Sequence, residues 1–134
     1  MTRLFSSLVL CGAIVLAQHT HNSGENAKPA ELLEGLGNHT HPIATKSDLA
    51  QKFFDQGLAF AYGFNHDEAV RSFERAAALD PKAAMPLWGI ALALGPNINL
   101  DVDPDHEKKA FDAAQKALAL ADSAPAIEQA YVRA

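Results

Sequence analysis

Between residues 53 and 81 the chain sets a glycine inside an apolar, aromatic-rich stretch, FFDQGLAFAYGFNHDEAVRSFERAAALDP. Gly in a helix interior costs about 1 kcal/mol relative to Ala, so a helix that keeps Gly57 must use it. Leu49, Phe53, Gly57, Phe60 and Phe64 recur at steps of three and four, which puts them on one helix face. Thr45 with Asp48 has the form of a capping box ahead of that helix. Asn65, with Glu68 after it, offers a second start, and Ala69, Phe73, Ala76 and Ala77 form the face of a second helix that ends near Asp80. Helices joined by so short a turn lie antiparallel. A glycine on the shared face then lets the first helix approach the second closely, with rings filling the space on either side.

Further starts follow. Asp80-Pro81 reads as the cap and first-turn proline of a third helix, which carries Pro86 and Trp88 and stops at Gly95-Pro96. Asp103-Pro104 opens a fourth helix; Ser123 and Pro125 open a fifth. Of the residues, 49% are apolar, dominated by Ala and Leu, which favours helix over sheet. The fold class expected is all-α.

The spacings also form a repeat. Phe53-x2-Gln56-Gly57-x2-Phe60, Ala69-x3-Phe73, Ala76 and Pro81 fall on the tetratricopeptide pattern, with Gln56 where Leu is usual. A shift of about 34 residues carries Phe53 to Leu87, Phe54 to Trp88, Gly57 to Ala91 and Phe60 to Leu94. An insertion of about seven residues then moves Ala69 onto Ala110 and Ala76 onto Ala117. On these residues the chain resembles the tetratricopeptide repeat family over residues 46–134. Within a helical domain spanning 45–134, the units fall at about 50–83 and 84–123, with a truncated third from about 124. The stretches LWGIALALGPNIN and GLGNHTHPIAT are similar to parts of exported bacterial tetratricopeptide proteins of unassigned activity, so the chain looks like the front end of a longer solenoid.

The resemblance implies a concave groove lined by the first helix of each unit. Position by position, its groove residues would be Gln51, Phe54, Leu58 and Tyr62, then Met85, Trp88 and Leu92. It implies a non-catalytic interaction scaffold with a protein or peptide partner. Burying a continuous core takes about three repeats. The expectation is therefore marginal folding alone, helped by a downstream segment, self-association or the partner.

Arg3 and the apolar run from Leu4 to Ala17 read as a signal peptide with cleavage before Gln18, since about 20 residues are needed to span a bilayer. That predicts an exported, periplasmic or secreted protein with no membrane attachment after cleavage. The single cysteine, Cys11, lies within this run, so the mature chain would have no disulfide and no thiol chemistry. A net charge of −5 without any Lys/Arg cluster argues against nucleic acid. No nucleophile motif or phosphate-binding glycine loop is present, so neither catalysis nor a cofactor is expected.

Residues 18–28 are polar, a short apolar patch of Leu32, Leu33 and Leu36 follows, cut by Gly35 and Gly37, and residues 18–44 together read as a flexible linker. They hold a second, distinct reading. His19 and His21, and again His39 and His41, flank a Thr, and alternate side chains of an extended segment share a face. Each pair could chelate copper or zinc, giving a metal-binding alternative.

Overall fold

A computed structural model of the chain describes residues 28–97 and 103–134. The expected signal peptide, with His19 and His21, lies outside the described residues. Those that are described form five helices and no strand: α1 Asp48–Tyr62, α2 His66–Leu79, α3 Ala84–Leu94, α4 Pro104–Ala121 and α5 Ala126–Arg133. The fold class is all-α.

The helix ends show which sequence signals act. Ser47, not Thr45, caps α1, its Oγ accepting from the Ala50 N–H at 3.1 Å. Thr45 is diverted: its Oγ1 donates to Asp80 Oδ2 at 2.7 Å and accepts from the Ser47 N–H at 3.1 Å. Asp80 therefore does not open α3. It closes α2, and α3 starts at Ala84 with Pro86 as its third residue. There the missing proline N–H is one of the donors that have no helical partner anyway. Asn65 caps α2 and Asp103 caps α4, with Pro104 at the first helical position, as the sequence predicts.

The apolar face read for the first helix overruns the helix. Phe64 is 72% exposed because α1 stops at Tyr62, and Leu49, in the first turn, is 41% exposed. Past Gly63 the chain turns through Phe64 at φ 61°, with Phe64 N–H bonded to Ala61 C=O (3.2 Å) and Asn65 N–H to Phe60 C=O (2.9 Å). This is a Schellman closure with Phe where Gly is usual. A side chain in the left-handed region costs about 1–2 kcal/mol. Phe64→Gly is expected to raise stability by about 0.5–1 kcal/mol, the relief being partly offset by the freer unfolded glycine, as read by urea unfolding.

Successive helices pack pairwise, α1 on α2, α2 on α3, α3 on α4 and α4 on α5. Across the opposite side α1 also meets α3, and α3 meets α5, while α2 and α4 do not touch. So α1, α3 and α5 form an inner row and α2 and α4 an outer one. Phe73, on α2, is fully buried at the centre. A Cβ on Gly57 would lie 2.5 Å from its ring, and one on Gly89 of α3 would lie 2.7 Å from it. Gly57 is thus the point of close approach, but what it admits is the Phe73 ring rather than the neighbouring backbone. Phe54 extends the stack at 5.4 Å between ring centroids. Phe53, Ala69 and Ala76 complete the buried part of the repeat pattern, Phe60 packs at its margin, and Pro81 is exposed in the α2–α3 turn.

Candidate functional site

The inner row leaves a space. α1 and α5 both border α3 but do not contact each other. Into that space runs a strap, residues 28–46, which is neither helix nor strand.

Side chains of the helices hold the strap chiefly by its main chain. Gln51 Oε1 accepts from the Ile43 N–H at 2.9 Å, and its Nε2 donates to the His41 C=O at 2.8 Å. Asp55 Oδ1 accepts from the His41 N–H at 2.9 Å and is itself steadied by Gln51 Nε2 at 3.0 Å. From the far wall, Glu128 Oε1 on α5 accepts from the Ala44 N–H. Asp80 Oδ2 takes the Lys46 N–H at 3.2 Å besides the Thr45 hydroxyl. The Thr45 hydroxyl, foremost, and the backbone N–H groups of Lys46 and Lys82 hold the Asp80 carboxyl below the usual aspartate range.

A second pin lies one turn along α1. Gln56 Oε1 accepts from the Leu33 N–H at 2.8 Å, while Nε2 donates to the Glu31 C=O at 2.9 Å and the Ser72 hydroxyl at 3.1 Å. Gln56 is the one residue that departs from the repeat pattern, and this grip accounts for it: a Leu there could bind neither strap group. Arg71 adds a bond to the Lys28 C=O at 2.6 Å. Each such bond contributes about 0.5–1.5 kcal/mol net. Between the two pins residues 34–40 arch away, all exposed, over a hollow floored by Lys52 and Ala59.

Two strap side chains also enter the helices. Ile43 is 9% exposed and joins the main core, as does Ala30 at the other end of the strap. The His41 ring stands 6.1 Å from Phe54 and 5.5 Å, edge to face, from Tyr131; Tyr131 in turn meets Trp88 at 5.5 Å. A line of rings thus runs from Phe73 in the core through Phe54 and His41 to the exposed Tyr131, with the half-buried Trp88 beside it.

Of the groove residues expected from sequence, Gln51 grips the strap and Trp88 borders it through Tyr131. Phe54, Leu58 and Met85 are buried in the core, Phe54 with the His41 ring beside it. Tyr62 and Leu92 are exposed, at 74% and 45%. Sequence reasoning missed Asp55, Gln56, Glu128 and Tyr131. All four sit on helices as ordinary polar or boundary residues, and main-chain recognition leaves no side-chain periodicity to read. The one available signal was Gln56, polar at a position the pattern makes apolar.

His39 is exposed on the arch while His41 is packed among rings. Among the described residues no group of three or more His, Cys, Asp or Glu is placed to hold a metal ion, and no helix is long and apolar enough to cross a membrane.

No family model, curated protein or solved structure matches the chain.

Proposed function

We propose that this chain is a non-catalytic interaction module, built of tetratricopeptide-like helix pairs, that binds an extended peptide of a partner protein along its inner row of helices. The observation that carries this is the grip on residues 41–44: Gln51, Asp55 and Glu128, from opposite walls, bind consecutive main-chain groups of a non-helical segment. An amide that accepts from one residue and donates to another two positions away reads peptide backbone whatever its side chains. Tyr131 and Trp88 supply the aromatic anchors that recognition surfaces favour.

Panning a displayed random-peptide library against the full chain tests this. Measured in a chain whose strap is loosened by His41→Ala and Ile43→Ala, enriched peptides are expected to lose affinity by about tenfold or more when Gln51→Ala and Tyr131→Ala are combined, since each removes a contact of about 1 kcal/mol or more. Both side chains are partly exposed, so helicity by circular dichroism should persist. Peptides that bind the double variant as tightly as the parent would place recognition elsewhere.

A further inference from the structure

The groove is occupied by the chain itself, and the occupant describes the chemistry the groove accepts. We propose that residues 39–46 are a displaceable stand-in for a partner segment with a ring, any residue or proline, and then a β-branched aliphatic, followed by a hydrogen-bond donor or positive charge. This rests on the peptide-binding reading and adds to it the ligand pattern and the strap that must leave.

Four observations point this way. The niche between Phe54 and Tyr131 is aromatic on both sides and holds the His41 imidazole, so it takes a ring. Two positions on, Ile43 is buried to the level of a core residue. The groups that hold the main chain here are largely carboxylates, Asp55, Asp80 and Glu128, and this favours a neutral or basic occupant. The strap also satisfies the groove incompletely: Glu128 is 3% exposed, and its Oε2 has no hydrogen-bond partner. An unpaired buried acceptor is costly, and a segment offering a donor beside the Ala44 position would fill it. Release needs no helix to unfold, because no strap residue belongs to one and the arch between its pins is exposed.

A tethered occupant competes at an effective concentration on the order of millimolar, so a free peptide binds well only once the strap is weakened. The probe is a labelled peptide with the sequence of residues 39–46, HTHPIATK, followed by fluorescence anisotropy against the full chain. The variant His41→Ala/Ile43→Ala is expected to bind it about tenfold or more tightly than the parent. Adding Gln51→Ala and Tyr131→Ala is expected to abolish the gain. A strap variant that keeps its helical circular dichroism and shows no gain overturns the proposal. If that variant loses its helices, hydrogen exchange on the unmodified chain decides. The amides of His41, Ile43 and Ala44 are expected to exchange well before those of α1 and α2 and to speed up with added peptide. Their exchange only with global unfolding overturns the proposal, as does a dimer in which straps are swapped. Display-selected peptides that need Gln51 and Tyr131 but do not compete with the probe would sink this inference and leave the peptide-binding reading standing.

Discussion

Phe73→Ala is expected to cost about 3–5 kcal/mol, the usual range for deleting a buried phenyl ring, and to lower the urea midpoint of the chain steeply. Phe73 is fully buried and is the ring on which three elements meet: Gly57 of α1 on one side, Gly89 of α3 on another, and the Phe54 ring at 5.4 Å. Removing it empties a space that glycines cannot refill, since neither carries a side chain to move inward. Collapse is blocked too, because α1 and α3 would have to approach α2 together. A chain of this size has about 5–15 kcal/mol of stability in total, so such a loss takes from about a fifth to the whole of it. The measurement is urea unfolding followed by helical circular dichroism. A midpoint within error of the parent would mean that the ring is not the centre of the core.

How much of this was legible beforehand depended on the kind of signal. Gly57 and Phe73 were readable because the repeat pattern fixes their spacing, and the structure puts them in contact. Gly89 plays the same part from α3 but was not readable: the period of about 34 residues aligns Gly57 with Ala91, so Gly89 looks like an unexplained glycine near a proline. The helix starts at Asn65 and Asp103 were legible because their side chains bond N–H groups of the first turn that they open. Thr45 and Asp80 were misread for the opposite reason. They bond to each other across 35 positions, and a long-range bond overrode two local capping signals. The strap was the least legible element. Its polar composition matches that of a linker, and what fixes it is the hydrogen bonding of main-chain groups that every residue possesses. Of its apolar residues Ile43 and Ala30 add surface to the core, while Leu32, Leu33 and Leu36 stay exposed. Burying Ile43 contributes about 1.5–3 kcal/mol, so the strap adds to the stability of the helices it packs on.

The reciprocal prediction concerns Gly57. On propensity alone Gly57→Ala should stabilise α1 by about 1 kcal/mol. The added methyl, however, would sit 2.5, 2.6 and 2.9 Å from three atoms of the Phe73 ring. An aromatic ring is rigid, and moving away from α1 drives this one toward Gly89, where there is no slack either, a Cβ there being 2.7 Å from the same ring. Overpacking a core typically costs about 1–3 kcal/mol and occasionally more; with the ring confined on both sides, the upper end applies. The net expectation is a loss of about 2 kcal/mol, or a fall of roughly 10 °C in Tm for a domain of this size. Phe73→Leu supplies the decisive comparison, because a smaller, jointed side chain can yield to the methyl. In the double variant the two losses should fall short of additivity by about 1 kcal/mol or more, the signature of residues in direct contact. Strict additivity, or a Gly57→Ala chain more stable than the parent, would mean that the α1–α2 contact is loose enough to admit a side chain and that the glycine serves some purpose other than fit.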